Sequence, residues 1–175
     1  MALICPDCGA KNIDGVDMCE SCGQSLTMLN KPRRPHSPVG EGMLREKIEA
    51  LEPKHPIAVT PDTPVEEALR VMLENKIGSI LVTEDDKLIG IFSEHDAVNR
   101  IGVEFVDLRS HAISEFMTAL PGTLEKENKI IFAVHKMAFG GYRHIPIVEG
   151  DRPVGVISIR DILRYTEEKI EASVN

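Results

Sequence analysis

GIFSEHD occupies residues 90–96 and GVISIRD residues 155–161, so one design, Gly-apolar-apolar-Ser-x-x-Asp, occurs twice at a spacing of 65. Each copy follows an apolar run and precedes apolar residues at helical spacing, which sets its serine where a strand yields to a helix. A serine there caps orphan backbone N–H groups, and the same helix start attracts phosphate. An aspartate three residues later can accept hydrogen bonds from a sugar diol. A plainer reading stands beside this one: Ser-x-x-Asp is close to a capping box, which stabilises a helix with no ligand present. A cap alone, however, does not require the Gly-apolar-apolar strand end that precedes it.

The duplication extends well beyond the motif. A shift of 65 aligns Ala68 with Ala133, Met72 with Met137, Ile80 with Ile145, Glu84 with Glu149 and Asp86 with Asp151. No gap is needed from Ile57–Arg100 against Gly122–Tyr165, and identities at both core and turn positions mark an internal repeat. Each copy reads β-α-β-β-α. The first helix opens at Thr63-Pro64-Val65-Glu66, read as a capping box with proline at the first helical position. Its apolar stripe is Val65, Ala68, Leu69, Met72 and Leu73; the second helix caps with Asn128 and presents Ile130, Ala133, Val134, Met137 and Ala138. Strands at Ile80–Thr83 and Leu88–Phe92 flank a polar turn, as do Ile145–Val148 and Pro153–Ile157, and a last helix runs to about Glu171. Half-units this small do not bury their apolar faces alone. The expected fold is therefore α+β, two β-α-β-β-α repeats packed as a pseudo-twofold pair.

All four cysteines sit near the N-terminus, as Cys5-x2-Cys8 and Cys19-x2-Cys22, with Gly9 and Gly23 directly after each pair. Two residues between ligands let both sulfurs face one metal, and the glycine permits the turn beneath it. The pattern resembles a zinc ribbon, a closed four-cysteine structural site with Zn2+ as its ion. Iron in a rubredoxin-like site uses the same ligands, two disulfides would need an oxidising compartment, and a redox pair would need a βαβ setting. A segment this short folds on metal-binding energy. It carries one lysine, no arginine and no aromatic residue, which favours protein contact or plain structure over nucleic acid. The organisation read from the chain is 1–29 ribbon, 30–42 Pro/Gly-rich linker, 43–108 lead-in helix (43–51) and first repeat, and 109–171 second repeat.

With 175 residues and 42% hydrophobic content, the chain suits one compact domain and a small appendage. Its formal net charge of −8 argues against a phosphate-neutralising face for duplex nucleic acid. No apolar run is long enough to cross a bilayer, and the N-terminus lacks the basic region of a signal peptide, so a cytoplasmic location is the default expectation. Ser93, His95 and Asp96 carry the side chains of a hydrolase triad but crowd into four residues, so no enzyme is expected. His135 replaces Arg70 in the repeat and is expected on a helix surface.

The repeat order, the paired motifs, TPDTPVEEAL at 60–69 and GGYRHIPIV at 140–148 resemble a tandem pair of CBS domains, a Bateman module, over residues 43–170. That resemblance implies a regulatory module binding AMP, ADP, ATP or S-adenosylmethionine in clefts between the repeats, commonly as a homodimer that relays occupancy to a partner protein. It implies that Asp96 and Asp161 take ribose hydroxyls and that Ser93 and Ser158 contact ribose or phosphate. It also sets phosphate-contacting basic residues at Arg143 and His144, where the first repeat has Gly78 and Ser79. Arg160 precedes Asp161, whereas His95 precedes Asp96, so the second corner is expected to hold the tighter phosphorylated ligand. The alternative for Arg143 is a surface ion pair. The competing function is an adaptor in which the ribbon carries the interaction and the repeats only dimerise.

Overall fold

The computed structural model describes residues 3–5, 7–13, 16–26 and 37–174. β1 (Leu3–Ile4) and β2 (Lys11–Asn12) belong to the cysteine segment, followed by α1 (Pro38–Arg45) and a 3-10 turn at Ile48–Leu51. The first repeat comprises β3 (Ala58–Val59), α2 (Val65–Asn75), β4 (Ser79–Glu84), β5 (Lys87–Ser93) and α3 (Glu94–Asp96), which passes into a π-helical turn at Ala97–Ile101. Then come α4 (Phe105–Leu108), a 3-10 turn at Ile113–Glu115 and β6 (Thr118–Ala119). The second repeat has α5 (Ile130–Gly140), β7 (His144–Glu149), β8 (Arg152–Ser158) and α6 (Ile159–Val174). No helix among the described residues is long and apolar enough to cross a membrane.

The chain divides into two compact units, one of residues 52–126 with 144–158, the other of the remainder. In the first, β3-β4-β5-β6 form a sheet with β3 parallel to β4 and the other neighbours antiparallel. The β7–β8 hairpin gains Leu124 parallel to Ile147 and Lys54 antiparallel to Val156. The two hairpins superpose in register under the 65-residue shift. Ser79 opposite Ser93 becomes His144 opposite Ser158, and the irregularity at Val82/Thr83 recurs at Ile147/Val148. The core beneath the first repeat is Val65, Ala68, Met72, Ile80, Val82, Phe92, Ile101 and Ile113.

Strand exchange explains the motif glycines. β6, on the approach to the second repeat, pairs with β5 of the first, and Lys54, on the approach to the first, pairs with β8 of the second. A Cβ on Gly90 would lie 2.2 Å from the Met117 sulfur, and one on Gly155 would lie 2.8 Å from Pro53 Cβ. The glycine therefore admits the crossing segment, a packing demand that is separate from the serine and aspartate.

The other unit gathers α1, the Ile48–Leu51 turn, α5, α6 and the cysteine segment. Here the Ile48 N–H donates to Asn128 O (2.8 Å) and the Ile130 N–H to Glu46 O (3.0 Å). In the sheet-containing unit the Ile113 N–H donates to Thr63 O (2.8 Å) and the Val65 N–H to His111 O (3.0 Å), again offset by 65. These bonds correct both expected caps. α2 starts after Pro64 and α5 after Lys129, neither with a side-chain cap. Carbonyls of the other repeat's lead-in segment, His111 for α2 and Glu46 for α5, accept from the first orphan donors, and neither Thr63 nor Asn128 caps its helix through a side chain.

The helix expected over 43–51 is also corrected. α1 begins at Pro38, inside the stretch read as a tether, and ends at Arg45. The Gly40 N–H donates to the Ser37 hydroxyl (3.2 Å), Pro38 suits the first turn, and a Cβ on Gly42 would meet the buried Tyr165 hydroxyl at 2.2 Å. Lys169 closes the contact on Glu46 at 2.6 Å. The glycine that reads as flexible is the surface onto which α6 packs. Residues 27–36 of the supposed ribbon end and linker lie outside the described residues.

Candidate functional site

The first corner forms where β5 ends. The Ser93 hydroxyl donates to Asp96 Oδ2 (2.6 Å), the Ser93 N–H donates to the same oxygen (3.0 Å), and the Asp96 N–H donates to Ser93 Oγ (3.3 Å). This is a full capping box. On Oδ1, the Thr118 hydroxyl donates at 3.3 Å and Arg100 Nε lies at 3.3 Å. A carboxylate has about four lone-pair sites, and four donors now face Asp96, which is 7% exposed. A ribose diol would have to displace some of them, Thr118 being the one that is distant in sequence.

Apart from Arg100, which pairs with Asp96, this corner carries no arginine or lysine at the positions that match Arg143 and Arg160. The Glu94 N–H donates to Gly78 O (3.0 Å), and both Glu94 and His95 are exposed. The ring of His144 lies against Gly78: a Cβ there would sit 2.9 Å from both Cε1 and Nε2, and 3.2 Å from Glu94 Oε2. His144 is thus carried to the first repeat's strand-to-helix turn.

The second corner differs in charge and in helix length. The Ile159 N–H donates to Arg143 O (2.9 Å), which ties Arg143 to the first residue of the sixteen-residue α6. Arg160 follows in the same turn. Both guanidinium groups are exposed, and no described carboxylate lies within ion-pair distance of either, so the surface pair considered for Arg143 is not formed among the described residues. Asp161 is 3% exposed, with Arg164 Nη2 3.4 Å from Oδ1. Arg164 also donates to Leu51 O (3.1 Å). Ser158 ends β8 directly before α6. Two arginines beside the positive end of a helix dipole suit an anionic phosphate.

Near the N-terminus, the sulfurs of Cys5, Cys8, Cys19 and Cys22 lie within 4.8 Å of one another, and all four cysteines are free. Cys5–Cys22 and Cys8–Cys19 are each 3.6 Å apart. A tetrahedron with metal–sulfur bonds of about 2.3 Å has edges of about 3.8 Å, so the cluster fits one such ion. Burial would raise Cys19, but the backbone N–H groups of Cys22 and Ser21 bring it down to about 6, while burial pushes Cys22 up to about 12. Four thiols this close cannot all ionise without a cation among them.

A family model for the CBS domain matches residues 48–102 and again 113–168. The chain belongs to the CBS-domain family. The CBS domain-containing protein CBSCBSPB5 of Arabidopsis thaliana is 25% identical over 147 residues, covering 83% of this chain; the chain spans only about a quarter (27%) of that relative's length. Two CBS structures resemble it in fold. One, CBSX2 in complex with AMP, has a TM-score of 0.60 at 18% identity over 70% of this chain and 97% of that one. The other is the CBS domain pair of MJ0100 in complex with 5'-methylthioadenosine and S-adenosyl-L-methionine. Its TM-score is 0.62 at 22% identity, over the same 70% and 97%.

Within this CBS pair, sequence reasoning missed Arg100, Thr118 and Arg164, the groups that face the two aspartates. Arg100 and Arg164 stand four and three residues after their aspartates, a helical ion-pair spacing that was available to read. Thr118 arrives through strand exchange and left no local trace.

His135 was also misplaced: it is buried on α5, with its ring centroid 4.5 Å from that of Phe139. Burial lowers its pKa below the usual imidazole value, Asp7 opposing and Lys136 reinforcing the shift. Between the ordinary value near 6.5 and the depressed one, the unfolded chain binds the extra proton. Stability is therefore full above about pH 6.5 and falls as pH drops through that window. His135→Gln is expected to flatten the acid side of this dependence, read from urea midpoints at pH 7.5 and 5.5. An unchanged slope would assign it to other groups.

Proposed function

We propose that this CBS pair is a non-catalytic regulatory module that binds an adenosine-containing ligand and relays occupancy to a partner protein. AMP, ADP, ATP and S-adenosylmethionine are the candidates. The observation that carries the reading is the start of α6, where Arg143 and Arg160 stand exposed and unpaired by any described carboxylate. In this reading Asp161 accepts the ribose hydroxyls, Ser158 contacts the sugar or phosphate, and the two arginines hold the phosphate. Ser93, Asp96 and His144 form the weaker first corner. The complexes of CBSX2 with AMP and of MJ0100 with S-adenosylmethionine support the ligand class. The four cysteines hold structural zinc. Exposed Leu73, Val98, Val103 and Val106 support association as a homodimer through the first repeat.

A second reading keeps the CBS pair as a scaffold and gives the interaction to the cysteine segment. The full donor set on Asp96 favours it at the first corner, since a capping box and its neighbours already account for that carboxylate. Calorimetric titration of the metal-loaded chain with AMP, ADP, ATP, S-adenosylmethionine and adenosine separates the two. The regulatory reading expects phosphorylated ligands to bind more tightly than adenosine. Arg143→Ala or Arg160→Ala is expected to weaken AMP about tenfold, the worth of one charge-assisted hydrogen bond. Failure of all five ligands to bind at millimolar concentration would leave the scaffold reading standing.

A further inference from the structure

α2 and α5 are the same helix of the repeat, yet their outer faces are satisfied differently. On α2, Arg70 pairs within its own helix, 3.7 Å from Glu67 and 3.1 Å from Glu74. On α5 the corresponding residue is the buried His135, and the next, Lys136, has a side chain only 10% exposed. A lysine withdrawn so far from water needs a partner, and its Nζ lies 2.7 Å from Asp7 Oδ1. Asp7 lies between Cys5 and Cys8, in the knuckle that supplies two of the four sulfurs. α5 then turns through Gly141 (φ 69) directly toward Arg143.

We propose that α5 senses the metal state of the cysteine cluster through the Asp7–Lys136 pair. The proposal rests on the metal reading of the four cysteines, not on the nucleotide reading. With metal bound, the knuckle holds Asp7 over α5 and Lys136 is paired. With the metal removed, the knuckle loses its geometry and Lys136 is left largely buried without a counter-charge. The outer face of α5 then loosens, whereas α2, with its own ion pairs, does not. Coupling of this kind is reciprocal, so the same contact strengthens metal binding.

Hydrogen exchange on the full chain, zinc-loaded and chelator-stripped, tests this, with zinc content measured alongside. Peptides over 130–140 are expected to exchange about tenfold faster after stripping, and peptides over 65–75 to stay unchanged. Lys136→Met, which fills similar space without the charge, is expected to raise the zinc dissociation constant about tenfold in chelator competition. Lys136→Ala should do the same. Equal responses of α5 and α2, no response of α5, or zinc affinity unaltered in Lys136→Met would each overturn the coupling. Absence of zinc binding would overturn it too, and the zinc content would assign that failure to the metal reading.

Discussion

Chelation of the metal from the full chain is expected to unfold the cysteine segment while the β4–β5 and β7–β8 hairpins stay intact. The buried core of that segment is Cys5, Cys19 and Leu26, with Leu3, Ala10 and Val16 packed beside it. One fully buried leucine contributes roughly 1.5–3 kcal/mol, too little to order the chain around it. A structural four-thiolate ion contributes on the order of 10–16 kcal/mol, and that binding energy is folding energy. Cys5→Ser, which also removes a buried ligand, should therefore abolish one-to-one metal binding and expose residues 3–26 to protease. Cobalt substitution should give sulfur-to-metal charge-transfer absorption in the parent and none in Cys5→Ser. Metal binding releases thiol protons, so affinity is expected to fall as pH falls. A segment that stays protease-resistant after complete chelation would contradict the metal as its source of stability. Metal analysis of protein as purified distinguishes zinc from iron.

Substitution of the two motif aspartates is expected to differ in its effect on AMP affinity. Asp161→Asn should weaken AMP about a hundredfold, since two charge-assisted hydrogen bonds to a diol are worth roughly 1.5 kcal/mol each. Asp96→Asn should alter AMP binding little and lower stability by about 1–2 kcal/mol, because it breaks a capping box and a pair with Arg100 in which only the aspartate is buried. Arg100 is itself 44% exposed, and water there limits the loss. Calorimetric affinity and urea midpoints on both variants read the two effects separately. Matching losses of AMP affinity in both would show that the first corner binds as strongly as the second. If Asp161→Asn left affinity intact, the ribose acceptor would lie elsewhere.

Much of this was legible in the chain. The repeat offset, the strand pairs and the serine and aspartate at each corner follow from local patterns, and the apolar runs that mark β4 and β7 are the buried stretches of those strands. Charge asymmetry was legible as well: Arg143 and Arg160 have no cationic counterparts at Gly78 and His95, apart from the histidine itself, and the structure leaves both arginines exposed at the start of α6. The cysteine spacing announced a four-sulfur cluster, and the sulfurs do converge.

Long-range contacts account for the remainder. α1 is helical through Pro38–Arg45 although its glycines argue for a tether, since Tyr165 and Lys169 on α6 give that helix a surface to pack on. α2 and α5 begin without side-chain caps because carbonyls distant in sequence face their first N–H groups. His135 is buried where the arginine of the other copy is exposed, and Lys136 finds its counter-charge 129 residues away. The amino-acid order alone thus determined the duplicated strand-and-helix pattern, the four-cysteine cluster and the difference in charge between the two corners, because these depend on local patterns. Only the tertiary structure decided where α1 begins, which carbonyls face the first N–H groups of α2 and α5, how many donors face Asp96 and which helix the cysteine segment touches, because those depend on groups that approach one another only once the chain has folded.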